Sequence, residues 1–391
     1  MERFGSILDD LFPEMVAWRR HLHQHPELSF HENKTAEYIY GHLTRWGIEA
    51  KKGVGGHGVV GVIRGSEAGP TVALRADMDA LPIQDQKQCE YASKVPGVMH
   101  ACGHDAHTAT LLAVAKSFQE QRGELKGNVV CIFQPAEEFT PGGAAPMIRE
   151  GVLDGVDVIY GVHLWTPFPS GSVYTATGRL MAAADEFQIE ITGKGGHAGL
   201  PHETVDSIVV ASQLVMNLQT IVSRNVDPAE PSVVSVGFIQ AGTAFNVIAG
   251  TCAMIGTVRS FNEQVRDLVR ARIEQIAAET CRMHGAECRV DYKAGYPPVI
   301  NDETEAERFF RTVPGLFPAE NVRRSPLIMA GEDFAYYLQK IPGCFMLVGA
   351  GNEQAGIIHP HHHPKFDIDE TAMLNAAKLL TRMALSYLHG E

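Results

Sequence analysis

Apolar residues recur at Ile7, Leu8, Leu11, Met15 and Leu22 with the spacing of one helical face, which predicts an amphipathic helix over 6–22. Short apolar runs then alternate with helical stretches. Val59–Ile63 and Thr71–Arg75 read as strands and Thr108–Gln119 as a helix. Asn128–Gln134 and Asp157–Val162 read as further strands, with a helix over 143–150 between them. This alternation is the layer pattern of an α/β domain.

The middle of the chain follows another order. Phe187–Thr192 reads as a strand, Thr204–Ser223 as a helix, Ser232–Gln240 and Thr251–Ser260 as strands, Asn262–His284 as a long helix and Ala286–Lys293 as a last strand. The sequence β-α-β-β-α-β is that of a ferredoxin-like unit. The α/β pattern then resumes with a helix at 303–312, a strand at Cys344–Gly349 and a closing helix at Asp369–Leu388. The expected organisation is an α/β domain made of residues 1–184 and 296–391, interrupted by a smaller α+β domain at 185–295. No repeat or low-complexity segment breaks it.

A length of 391 residues agrees with two domains, and 45% apolar with 20% charged residues is an ordinary globular composition. The formal charge of −13 argues against nucleic acid or an anionic membrane as partner. The N-terminus has acids rather than a basic start and an apolar run, and no stretch approaches the ~20 apolar residues of a membrane span. With seven irregularly spaced cysteines, these features point to the cytoplasm. The 18 histidines change the picture most, because several stand beside Cys, Asp and Glu.

Four clusters carry chemistry: MHACGHDAH (99–107), QPAEE (134–138), GVHL (161–164) and HPHHHP (359–364). Three lie just beyond expected strands, and the first just before a helix. Strand ends of an open α/β sheet gather at one rim, so residues far apart in sequence can converge there. Cys102, His104, Glu138, His163 and one of His361–His363 are ligand types for divalent zinc, cobalt, nickel or manganese, and five donors suggest two ions sharing a bridge. Singly, each has an ordinary explanation, since a lone Cys is usually a small buried side chain. Their joint placement is what counts.

Glu137 and Glu138 are the sharpest feature. Two adjacent like charges at a strand end are costly unless cations are near. In an extended backbone, neighbouring side chains point apart. If Glu138 binds metal, Glu137 is left to take a proton from water and return it to a leaving nitrogen.

At these residues the chain resembles the M20 metallopeptidase/amidohydrolase family, in its branch of N-acyl-amino acid amidohydrolases, hippurate hydrolases and auxin-conjugate hydrolases. The resemblance runs nearly end to end: RRHLHQHPELSF (19–30), ALRADMDALPI (73–83), MHACGHDAHTA (99–109), FQPAEE (133–138), GKGGHAGLPH (193–202), GTAFNVI (242–248), GEDF (331–334) and HHPKFDID (362–369). It implies a three-layer αβα catalytic domain of zinc-exopeptidase type with an inserted ferredoxin-like lid and dimerisation domain. The implied activity is metal-dependent hydrolysis of N-acyl-L-amino acids to a carboxylic acid and an amino acid, with a dipeptidase or aminopeptidase on the same scaffold as the alternative.

The resemblance further implies two divalent ions per subunit, zinc first, held by Cys102, His104, Glu138, His163 and His362. His362 is preferred within its run because the branch has His-x-Pro there. Glu137 falls on the general base and Asp79 on a supporting Asp. His197 matches an oxyanion-stabilising His that comes from a partner subunit, and Asn246 a substrate contact. Arg259 is a candidate for gripping the substrate carboxylate. Asp105 and His107 are expected to orient the ligands, and the alternation of His21, His23 and His25 to be structural. Glu332 and Asp333 fall near the site with no role assigned. A homodimer or homotetramer acting on a small N-acyl substrate is the implied state. Two positions depart from the wider family: Asp77 stands where relatives carry a metal-binding His, and Ala249 where many carry Pro.

Overall fold

The computed structural model describes residues 1–391, which divide into two compact units. The first comprises Met1–Leu180, Ile300–Pro326 and Asp333–Glu391, the second Met181–Val299 with Leu327–Glu332. The short return of 327–332 to the second unit has no mark in the sequence pattern.

The first unit is built on an eight-stranded sheet. Its strand order is Glu49–Val54, Gly58–Arg64, Lys126–Gln134, Glu67–Asp77, Val158–Pro169, Gly343–Gly351, Val173–Thr175 and Val322–Arg324. The four central strands, from Lys126–Gln134 to Gly343–Gly351, run parallel, and an antiparallel hairpin closes the Glu49 edge. Alternation along the central strands sends Val72, Leu74 and Ala76, then Val158, Tyr160, Val162 and Leu164, into one core. Five helices cover that face: Glu2–Gln24, Asn33–Arg45, His104–Glu120, Glu303–Thr312 and Thr371–Leu388.

The other face is thinly covered, by the short helices Ala144–Arg149 and Ala335–Leu338. A Cβ on Gly161 would lie 2.8 Å from Phe334, so this layer packs directly onto strand backbone and requires glycine there. The result is the expected three-layer α/β order with one thick and one thin layer. Arg75, Asp77 and His163 occupy the alternate strand positions, which point to the thin side.

Several elements differ from expectation, among them the strands Glu49–Val54, Val173–Thr175 and Val322–Arg324, which are too short or too polar to stand out. Helix Asn33–Arg45 was not anticipated, because it buries only Thr35, Ala36, Ile39 and Leu43, too few apolar residues for a clear periodic signal. Helix His104–Glu120 begins four residues before Thr108. Its first turn buries His104, Asp105, His107 and Thr108, and polar residues there read as loop until their partners are known.

The second unit follows β-α-β-β-α-β: Ala183–Thr192, Ser207–Thr220, Ser232–Ala241, Thr251–Ser260, Glu263–Met283 and Glu287–Tyr296. Its antiparallel sheet has the order Ser232–Ala241, Thr251–Ser260, Ala183–Thr192, Glu287–Tyr296, which is ferredoxin-like. Phe187, Ile189 and Ile191 alternate inward against helical Leu214, Leu218, Val269 and Ile273. Asp206 and Asn262 cap the two helices by accepting from Ile208 N and Val209 N, and from Gln264 N and Val265 N. No helix in the chain is long and apolar enough to cross a membrane.

Candidate metal centre

Parallel pairing sets the level of each functional side chain. Arg75 lies opposite Gly161 in the register, which brings His163 level with Asp77 at the end of its strand. Strand Lys126–Gln134 pairs with Asp77 through Gln134 and then turns into Pro135–Glu138. Helix His104–Glu120 begins at the same rim, and residue 362 is tied there by His362 N donating to Ala101 O at 2.8 Å.

Asp79 organises this rim. It is almost fully buried, and its Oδ1 accepts from Glu137 N at 3.0 Å and lies 3.2 Å from His104 Nδ1. Its Oδ2 accepts from Glu138 N at 3.0 Å and from Ser29 Oγ at 2.6 Å. Burial works against the Asp79 charge, yet the bonds from His104, Ser29 and the Glu138 N–H hold its pKa below the usual carboxylate value. One carboxylate therefore fixes the turn bearing both glutamates and the tautomer of His104.

With Nδ1 of His104 donating to Asp79, Nε2 is the nitrogen left for a metal. That atom is buried without a hydrogen-bond partner, as is Glu138 Oε1, 3.7 Å away. Once the Nε2 proton is displaced, the two are facing acceptors, which fits a cation between them. His163 is set the same way: Nδ1 donates to Leu164 O at 2.8 Å, leaving Nε2 3.5 Å from Cys102 Sγ. His362 Nε2 lies 3.3 Å from Glu138 Oε2, its backbone in the left-handed region at φ 65°.

Four of the five expected donors fall in overlapping groups whose ligand atoms lie within 4.8 Å of one another: Cys102, His104 and Glu138; Cys102, His163 and His361; and His104, His107 and His163. His362 is in none of them and meets the set only through Glu138. His361 is the addition to the sequence reading, which set it aside for its neighbour. Its Nε2 donates to Leu164 O at 3.0 Å, and its ring stacks on Trp165 at 4.5 Å. The bare run of three histidines carries no signal to separate 361 from 362.

The electrostatics favour a cation. Burial lowers the pKa of His104, but Asp77, Asp79 and Glu138 outweigh it and raise it to about 10. Burial, then Glu138, Glu137 and Asp77, push the Cys102 thiol well above its ordinary value. Without a cation these groups hold protons; a divalent ion displaces them and takes thiolate and imidazole as ligands. The donor set therefore fits a metal.

Asp77 is a buttress rather than a replacement ligand. Its Oδ1 pairs with His107 Nδ1 and its Oδ2 with Arg75 Nη1, each at 2.6 Å. Fully buried Arg75 also donates to Gln134 Oε1 and Asp333 Oδ1, both at 2.9 Å. His107 uses its other nitrogen to accept from Leu164 N at 2.9 Å, which leaves no lone pair for a metal and suits its expected orienting role. Asp105 departs from expectation. Its carboxylate accepts from Arg19 Nε at 2.9 Å and pairs with His23 Nδ1 at 2.7 Å, anchoring the ligand-bearing helix to Glu2–Gln24.

The second unit holds the three remaining candidates. His197 is exposed on a two-residue strand paired with Val247, and its Nδ1 accepts from Gly199 N at 2.9 Å. Asn246 is exposed, its carbonyl accepting from Ala198 N at 3.1 Å. Arg259 is half-buried, with Nε bound to Met329 O at 3.2 Å and Nη1 to Val258 O at 2.9 Å and to Thr257 Oγ1, leaving Nη2.

The profile of Peptidase family M20/M25/M40 matches residues 73–386, which takes in all four clusters. The chain belongs to this family. Relatives in the family include YhaA of Bacillus subtilis (strain 168), 52% identical over 386 residues, 99% of this chain and 98% of that one. An N-acyl-L-amino acid amidohydrolase of Geobacillus stearothermophilus is 48% identical over 300 residues, 77% of this chain and 81% of that one. The crystal structure of the YXEP protein of Bacillus subtilis, a dinuclear metal binding peptidase from family M20, superposes with a TM-score of 0.84 at 36% identity, covering 97% of this chain and 99% of that one.

Proposed function

We propose that this protein hydrolyses the amide bond of N-acyl-L-amino acids, releasing a carboxylic acid and a free amino acid, with two divalent ions held by Cys102, His104, Glu138, His163 and His362. The observation that carries the reading is Asp79. One buried carboxylate holds the amides of Glu137 and Glu138 and the ring of His104, so a metal ligand and a second carboxylate stand on successive residues. When bound, the ions supply Lewis acidity toward water and the amide carbonyl. Zinc suits a mixed thiolate, imidazole and carboxylate set, with cobalt, manganese or nickel as alternatives.

Glu137, 7% exposed, accepts the proton of the attacking water and delivers it to the departing amine. His197 stabilises the developing oxyanion and Asn246 contacts the substrate. Arg259 offers its Nη2 to the substrate carboxylate. The second unit also favours self-association into a homodimer or homotetramer. Its edge strand Ser232–Ala241 exposes Phe238 and Ile239, and helix Ser207–Thr220 exposes Ile208, Val209 and Met216. Seven unpaired cysteines suit a reducing, cytoplasmic setting.

The test is a panel of hippurate, N-acetyl-methionine and unblocked dipeptides, assayed with metal-depleted and metal-restored protein. Hydrolysis of the blocked substrates, lost on depletion and recovered on restoration, is expected. Preference for the free dipeptides would turn the reading into a dipeptidase, and activity that survives thorough chelation would end it.

A further inference from the structure

Two aromatic side chains stand exposed on the turns that carry the metal centre. Phe139 follows Glu138 directly and is 65% exposed; Phe30 follows Ser29, whose hydroxyl bonds Asp79, and is 37% exposed. Their rings meet edge to face, centroids 6.4 Å apart at 87°. Phe30 has φ 65°, a left-handed backbone that a bulky residue rarely adopts. The conformation is held by Glu32 Oε1, which accepts from Phe30 N at 3.0 Å and from Ala136 N at 2.8 Å. Ala136 has φ 53°, so one buried carboxylate locks two left-handed turns together and with them the aromatic pair. Left-handed turns at non-glycine residues and exposed rings beside a buried polar centre are features that cluster at ligand clamps.

We infer that Phe30 and Phe139 form an apolar clamp for the acyl group of the substrate, selecting aryl and longer alkyl acyl groups over acetyl. The inference rests on the amidohydrolase reading and adds the substrate class. The occupant follows from position and charge. Phe139 directly follows the ligand candidate Glu138 in the chain, which puts the aromatic pair on the turn that serves the reacting centre. The acyl end of an N-acyl amino acid carries no charge, so it is the end that gains from two apolar rings, while the carboxylate end is left to a cationic group such as Arg259. Aryl groups suit an edge-to-face pair best, since a third ring extends the same quadrupolar packing.

The experiment compares kcat/KM for N-benzoyl- and N-acetyl-methionine in the wild type, Phe139→Ser, Phe139→Leu and Phe30→Gly. The wild type should prefer benzoyl. The benzoyl-to-acetyl ratio should fall about fivefold or more in Phe139→Ser and Phe30→Gly, and Phe139→Leu should recover part of it. Phe30→Gly should also raise Tm, because glycine adopts φ 65° without strain. A higher Tm with an unchanged ratio would make the Phe30 turn merely structural and overturn the clamp. An unchanged ratio with a lower oligomer mass by light scattering for Phe139→Ser would overturn it in favour of a subunit contact. If the wild type hydrolysed acetyl and benzoyl substrates equally, the clamp alone would fall. If it hydrolysed neither, the amidohydrolase reading would fall with it.

Discussion

Replacing Asp79 by asparagine changes one oxygen into an amide nitrogen, yet each carboxylate oxygen has two partners: His104 and the Glu137 N–H on Oδ1, Ser29 and the Glu138 N–H on Oδ2. Asparagine can offer an acceptor to only one side. On the other, its own NH2 confronts an N–H donor in a buried setting. The Ser29 hydroxyl or a neutral His104 ring can turn to accept from that NH2, so the bond lost outright is the one from a backbone N–H; a hydrogen bond to a charged acceptor contributes about 1.5–3 kcal/mol, shared here between folding stability and the geometry of the site. If the Oδ1 side is lost, His104 is no longer held as the tautomer with a free Nε2. If the Oδ2 side is lost, the Glu138 turn moves. Either way metal affinity should fall about 10- to 100-fold, the range for removing a partner that orients a ligand. Chelator competition reads the affinity, denaturant titration the stability, and hydrolysis at saturating metal the remaining activity. Affinity within about threefold of wild type, with undiminished turnover, would refute the reasoning.

Three further outcomes follow from the same geometry. Glu137→Gln should keep the fold and bound metal but lower kcat by about 10²- to 10⁴-fold, the usual share of a general acid–base group, and near-normal kcat would remove Glu137 from that role. Cys102→Ala, which deletes a donor shared by two of the ligand groups, should lower the bound metal measured by mass spectrometry; unchanged stoichiometry would contradict its assignment. Away from the site, His42 packs against Trp18, Trp46 and Tyr38, and burial, then Arg45 and His21, lower its pKa from 6.5 to about 4. Its contribution to stability is full above about pH 6.5 and is lost as the pH falls through 4, so His42→Phe should flatten that acid limb of the Tm profile. An unaltered limb would show that other groups set it.

The two folds and the chemical types at the site are written locally. Apolar runs such as NVVCIFQ suit only a buried strand, and the second unit follows the element order that alternation predicts. Helix Asn33–Arg45 escaped because its buried face is small, and the first turn of His104–Glu120 because its buried groups are polar. Burial of a polar group becomes intelligible only through its partners, and Asp105 shows the consequence. Its neighbours in sequence are metal-ligand candidates, but its partners are Arg19 and His23 on another helix.

By itself the sequence determined which atoms are on hand: thiol, imidazole and carboxylate at strand ends, two glutamates in succession, and a net charge of −13. Only the tertiary structure decided their states and their company. Asp79 chose the His104 tautomer, Arg75 and His107 occupied Asp77, Leu164 O oriented both His163 and His361, and Glu32 set Phe30 and Phe139 on strained turns. The physical reason is range. Secondary structure answers to neighbours a few positions away, whereas protonation, tautomer and ligand geometry answer to whatever lies within about 4 Å, which in this fold comes from distant segments of the chain.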